Sequence, residues 1–153
     1  MAKLLENEVE ALRRVPLFSG VEPMKLKLLA FASERIEFSA GQALMRQGEH
    51  GDAAYVMLSG EAEVLVSSGD IETRVATLTG NEFIGEISIL CGVPRTATVR
   101  AITPVETLKI DKEQFFELVE NAPSIAVQMM RILAERLAKT TAEMSAVRAG
   151  DKT

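Results

Sequence analysis

Between residues 36 and 110 a turn signal recurs about every ten residues, and this cadence limits the fold more than any other feature of the chain. The turns are Ser39-Ala40-Gly41, Gly48-Glu49-His50-Gly51-Asp52, Ser59-Gly60, Ser67-Ser68-Gly69-Asp70 and Thr79-Gly80-Asn81. The runs between them have a period of two. Ala62, Val64 and Val66 alternate with Glu61, Glu63 and Leu65, and Val99 and Ala101 alternate with Arg100 and Ile102, as half-buried antiparallel strands do. Short strands at this spacing build a sandwich, a barrel or a jelly roll. Glu61 and Glu63 are expected to form a solvated strand face.

Helices flank this region. Leu4, Leu5, Val9 and Leu12 lie on one helical stripe, which predicts an amphipathic lead helix over residues 3–14. Pro23 suits the first turn of a second helix, whose repeat of Leu26, Leu29 and Ala30 gives way near Glu34. Asp111 followed by Gln114 reads as a capping box opening a short helix that Asn121 and Pro123 end. Residues 123 to about 147 have no interior Gly or Pro and predict a longer helix, with a frayed tail over 148–153.

The chain of 153 residues is long enough for one hydrophobic core. With 47% hydrophobic residues and no apolar run near the roughly 18 residues of a membrane span, it reads as soluble, and the first residues lack a secretory pattern. A cytoplasmic, non-enzymatic protein is expected. The single cysteine, Cys91, excludes an internal disulfide, and one histidine, His50, leaves too few ligands for a zinc or non-haem iron site. Cys91 is read as a small core residue, His50 as a turn residue, and Met129-Met130 as packing. The net charge of −5 argues against a broad DNA-binding face, because nucleic-acid affinity rests on clustered Lys and Arg.

One stretch interrupts the strand pattern: Phe83-Ile84-Gly85-Glu86-Ile87-Ser88-Ile89-Leu90-Cys91-Gly92-Val93-Pro94-Arg95-Thr96-Ala97-Thr98-Val99. A glycine before a short apolar run suits one turn of helix between strands, whose N-terminus offers backbone N–H groups to an anion. Arg95 follows a proline and sits among apolar and hydroxyl residues, a candidate for a partly buried charge. A guanidinium holds two phosphate oxygens at once, whereas the Glu86 carboxylate accepts from a sugar hydroxyl.

Gly85-Glu86-Ile87-Ser88 with Pro94-Arg95-Thr96-Ala97-Thr98 resembles the phosphate-binding cassette of the cyclic-nucleotide-binding domain family. Gly48-Glu49-His50-Gly51-Asp52-Ala53-Ala54-Tyr55 and Ser59-Gly60 also resemble that family's signature, and the likeness spans roughly residues 15–147. The isoleucine in Phe83-Ile84-Gly85-Glu86 is similar to bacterial catabolite-activator-type (Crp/Fnr-like) regulators. The resemblance implies an antiparallel β-roll (double-stranded β-helix, jelly-roll-like) with N-terminal helices and a long C-terminal helix. It implies no cofactor but a ligand, cAMP or cGMP, held by Ile84, Gly85, Glu86, Ile87, Ser88, Arg95, Thr96 and Ala97. Gly85, Glu86 and Ile87 would supply backbone donors, Glu86 would take the ribose 2′-hydroxyl and Arg95 would clamp the cyclic phosphate. Leu133-Ala134-Glu135-Arg136-Leu137-Ala138-Lys139-Thr140-Thr141 resembles the activator's long helix, which places Thr140 and Thr141 at the base and favours cAMP. The chain ends about where the activator's helix-turn-helix domain would begin, so it is expected to be a single domain over 1–153 that does not bind DNA alone.

On the long helix Ala126, Met130, Leu133, Leu137, Thr140, Met144 and Val147 recur at spacings of four and three, a heptad seam, while Ile125, Met129 and Ile132 lie on an adjacent face. A parallel homodimer through this helix is expected, with the adjacent face packed on the β-roll.

Overall fold

The computed structural model describes the backbone over residues 2–151 and side chains over residues 7–145. The side chains of Leu4, Leu5 and Val147, named in the stripes above, lie outside the described residues. Eight strands form two four-stranded antiparallel sheets: β1 (Glu34–Phe38), β8 (Val105–Asp111), β3 (Ala53–Ser59) and β6 (Phe83–Ile84) in one, and β2 (Ala43–Met45), β7 (Thr98–Ala101), β4 (Ala62–Ser68) and β5 (Ile71–Leu78) in the other. Each sheet interleaves early and late strands, the topology of the β-roll. Helices α1 (Ala2–Arg14) and α2 (Pro23–Ala32) precede it, α3 (Glu86–Cys91) is set between β6 and β7, and α4 (Lys112–Asn121) and α5 (Pro123–Asp151) follow it. A 3₁₀ turn, Pro16–Phe18, links α1 to α2. Among the described residues no helix is long and apolar enough to cross a membrane.

Local chemistry sets the boundaries. Asp111 accepts from the Gln114 amide at 2.8 Å and Gln114 Oε1 accepts from the Asp111 amide at 3.1 Å, the reciprocal capping box that starts α4. Ser68 and Ile71 pair across the two-residue loop Gly69-Asp70, with Gly69 at φ 64°, so β4 and β5 make a tight hairpin. The helix α5 continues through Asp151, beyond the expected end near 147.

The two sheets enclose one core of Phe38, Leu44, Tyr55, Met57, Ala62, Ile84, Val99, Ala101 and Val105. The other face of the first sheet carries Ala54, Val56, Leu108 and Ile110 against a helical layer that includes Leu12, Phe18, Leu26, Phe115 and Ile125. Strand β3 is therefore buried on both faces, which is why Ala53-Ala54-Tyr55-Val56-Met57 reads as a continuous apolar run. Phe83 links the layers: its ring stacks on Phe115 at 5.6 Å and meets the edge of Phe18 at 6.0 Å. Met129 packs in the helical core while Met130 is exposed, so only half of that pair serves as packing. Cys91 is exposed at the end of α3 rather than in the core, because the exposed last turn of this short helix turns it outward.

The second sheet has one polar face, and there the expectation for Glu63 fails. Glu63 is buried, not solvated. Its Oε1 accepts from Arg100 Nε and Nη2 at 3.0 and 2.7 Å, and its Oε2 accepts from Arg74 Nε and Nη2 at 2.9 and 2.5 Å. Two guanidinium planes cover one carboxylate, a doubly bidentate arrangement that supplies partners for both oxygens. Hydrogen bonds from Arg100, then from Arg74, hold the Glu63 carboxyl below its ordinary value of about 4.5. Because the folded protein binds this proton less tightly than the unfolded chain, the stabilisation is complete above that ordinary value and is lost as pH falls through the lowered one. The gap in urea midpoint between the parent and Glu63→Gln should be widest near about pH 7 and should narrow progressively as pH falls below about 4.5. A gap that stays constant down to about pH 3 contradicts this account of the carboxylate.

Candidate functional site

Arg95 lies at the junction of the two sheets, where backbone bonds fix it from both sides. Its amide donates to Glu49 O at 2.8 Å and its carbonyl accepts from the Gly48 amide at 2.9 Å, so the turn after β2 pins the residue. The side chain turns inward, and the residue is buried, with 7% of its surface exposed. Nη1 donates to Gly85 O at 3.0 Å and Nη2 to Ala53 O at 2.6 Å. Among the described residues no carboxylate is within salt-bridge distance of this guanidinium, and burial pushes its pKa below the ordinary arginine value, opposed by the weaker fields of Tyr55, Asp52, Glu49 and Glu86. A buried cation held only by neutral carbonyls is costly unless an anion completes its shell.

Two glycines make room for it. A Cβ on Gly51 would overlap the Arg95 guanidinium, and a Cβ on Gly85 would stand 2.7 Å from Arg95 Nη1. Gly85 also has φ 89°, a left-handed conformation that turns the chain from β6 into α3. No side chain caps α3, so the backbone N–H groups of its first turn have no partner inside the helix.

Glu86, the first residue of α3, is also buried, but its partner is not Arg95. Its Oε1 accepts from Arg136 Nη1 of α5 at 2.6 Å, which ties the cassette to the long helix. Arg136, which no motif marks as a site residue, lies four residues before Thr140 on the same helix face. Thr140 Oγ1 donates back to Arg136 O at 2.9 Å.

A cleft of about 480 Å³ opens between β5, α3, the 95–99 segment and α5. Ile84, Gly85, Glu86, Ile87, Ser88, Arg95, Thr96, Ala97 and Thr140 all line it. Thr141, expected to share the base contact, is exposed and not among the lining residues. The opposite wall, which no motif marks, is formed by Val75, Ala76, Thr77 and Leu78 of β5 with Met45 and Val64. The cleft thus joins a cationic end at Arg95 to an apolar wall and to a carboxylate bridged to α5.

Comparison with known proteins gives the same assignment. Residues 35–122 match the family described as the cyclic nucleotide-binding domain, and the chain belongs to that family. It is 31% identical over 132 residues to the CRP-like cAMP-activated global transcriptional regulator of Mycobacterium tuberculosis, a match covering 86% of this chain and 59% of that protein. It is 35% identical over 108 residues to the cAMP-dependent protein kinase regulatory subunit of Emericella nidulans, covering 71% of this chain and 26% of the subunit. Among solved structures, the Thermus thermophilus catabolite activator protein superposes with a TM-score of 0.79 at 28% identity, covering 86% of this chain and 62% of the activator. The chain therefore spans between a quarter and two thirds of the length of these three proteins.

The clearance at Gly51 yields a test that needs no ligand. Gly51→Ala should cost about 1–3 kcal/mol in the parent by dislodging the Arg95 hydrogen bonds, and close to nothing in an Arg95→Ala background. Equal costs in both backgrounds, measured by urea unfolding, contradict this coupling.

Proposed function

We propose that this chain is a cytoplasmic sensor that performs no chemistry, binds cAMP in the cleft and passes the binding event to α5. The observation that carries this reading is the buried, carboxylate-free guanidinium of Arg95 facing a cleft beside an uncapped helix start. A cyclic phosphate supplies the missing anion, with Arg95 as clamp and the N–H groups of Gly85, Glu86 and Ile87 as further donors. The ribose 2′-hydroxyl donates to Glu86, Ile84 and Ala97 line the sugar's surroundings, and Ser88 and Thr96 add hydroxyls. Thr140, with Thr141 beside it, meets the adenine, which favours cAMP over cGMP. The names of two relatives, a cAMP-activated regulator and a cAMP-dependent kinase subunit, support the same ligand.

Transmission follows from a shared carboxylate. Glu86 holds Arg136 of α5 through Oε1 while Oε2 has no protein donor among the described contacts, so nucleotide and helix meet on one side chain. By linkage, whatever position of α5 favours the nucleotide is favoured by it in return. The exposed side of α5 carries Met130, Leu137 and Met144 at 63%, 68% and 55% exposure, spaced by seven residues, while Ile125 and Met129 are buried against the domain. This stripe supports a parallel homodimer through α5, with residues 1–153 acting as one unit and no DNA contact made by this chain. A dimerisation module without nucleotide is the other reading, and the titrations below separate the two.

Arg95→Ala should weaken cAMP binding by about 2–5 kcal/mol, thirtyfold or more, because it removes one partner of a desolvated charge pair. Arg95→Lys should recover little, since an ammonium lacks the two-pronged geometry. Calorimetric affinities for both variants within about threefold of the parent refute the phosphate assignment. Leu137→Glu, which leaves the cassette untouched, should shift sedimentation towards monomer and weaken cAMP binding together. A mutant that loses the dimer yet binds nucleotide unchanged breaks the proposed coupling.

A further inference from the structure

The polar face of the second sheet holds an open chain of charges. Arg74 pairs with Glu63, Glu63 with Arg100, and Arg100 Nη1 with Glu72 at 3.4 Å. Signs alternate along it, and both ends fall on β5. The terminal residues Arg74 and Glu72 are also the more exposed acid and base of the four, with side chains 56% and 44% exposed. The strand β5 is one of the two edges of its sheet, and residues 71–77 are exposed throughout.

The sequence of this edge is chemically self-complementary. Read outward from Thr73, Ile71-Glu72-Thr73-Arg74-Val75 places an acid against a base and an aliphatic against an aliphatic when it is laid antiparallel on itself. Backbone phase agrees. In a two-residue hairpin the closing residues, Ser68 and Ile71, bond to each other, so along β5 the next alternating positions, Glu72 and Arg74, turn their N–H and C=O groups away from β4. A register shift in the β4–β5 ladder leaves Val75 as an extra residue, a bulge that ends the regular edge just after Arg74. The segment also lacks the Lys and Pro that protect exposed edges, while Ile71 and Val75 stand 69% and 58% exposed.

We infer that β5 pairs antiparallel with β5 of a second copy of this chain, about a two-fold axis at Thr73. Glu72 of each copy then exchanges backbone hydrogen bonds with Arg74 of the other, and the two four-stranded sheets become one. The same step closes the charges. Glu72 of one copy meets Arg74 of its partner, so the two open chains join into a ring in which every acid lies between two bases. Arg74 retains Nη1 and Glu72 retains Oε2 for these contacts, since neither atom has a protein partner among the described residues. Such an isologous contact uses one patch twice and closes on itself. It lies on a different element from the α5 seam.

Cysteine cross-linking reads the axis directly, because only a residue on a two-fold faces its own copy. In a Cys91→Ser, Leu137→Glu background, which removes the exposed native thiol and the apolar residue at the centre of the α5 stripe, Thr73→Cys should form a disulfide-linked dimer under mild oxidation. Ile71→Cys, two residues away and facing Val75 instead of itself, should cross-link at least about tenfold more slowly, since disulfides require Cβ atoms about 4 Å apart. Without oxidant, sedimentation of the Leu137→Glu protein should show self-association that Glu72→Lys weakens at least tenfold and Glu72→Gln weakens less, because only lysine sets like charges face to face. Equal cross-linking rates at residues 73 and 71, or association unaffected by Glu72→Lys, overturn the inference.

Discussion

The site depends on a buried guanidinium that has no carboxylate within salt-bridge distance among the described residues. Arg95 is held by two backbone carbonyls, one from the β6–α3 turn and one from the start of β3, while the turn after β2 fixes its main chain. Three segments distant in sequence thus converge on one side chain. Neutral carbonyls orient the group but do not neutralise it, so a positive field remains directed into the cleft. The arrangement is pre-organised for an anion: the desolvation of the cation accompanies folding and need not be repeated when ligand arrives.

The second constraint is the Glu86–Arg136 bridge. Met129 and Ile132 of α5 pack in the helical core, and the bridge adds a direct tie from α5 to the cassette. With it, a helix whose residues from 134 to 145 are all exposed is anchored at a single buried carboxylate beside the cleft. An exposed, lightly packed helix tied at one point to a ligand site is an element that binding can bias at low cost in core contacts. The two regulatory relatives are longer than this chain, which matches 59% of one and 26% of the other.

What could be read from the sequence follows the range of the interactions involved. The turn at Ser67 to Asp70 and the capping box at Asp111 and Gln114 rest on neighbours within a few residues, and both are present as read. Strand spacing narrows the fold to a sandwich, a barrel or a jelly roll, and the resemblance carried by Gly85 to Thr98 implies the β-roll among them. Glu63 was misread because alternation assigns a face but not what lies on it, and its partners come from 11 and 37 residues away. Arg136 escaped notice for the same reason, standing 50 residues from Glu86. Cys91 was misplaced because helical burial depends on which side of α3 the domain covers, and six residues give too little periodicity to decide it.

Calorimetric titration of the parent protein with cAMP, cGMP and a cyclic dinucleotide tests the central claim most directly, because it asks whether the anion that Arg95 lacks is a cyclic nucleotide. The account predicts saturable binding of cAMP and weaker binding of cGMP and of the dinucleotide, because Arg95 and the start of α3 form one phosphate site. Absence of heat with all three, at several temperatures so that a zero enthalpy is not mistaken for no binding, would contradict it.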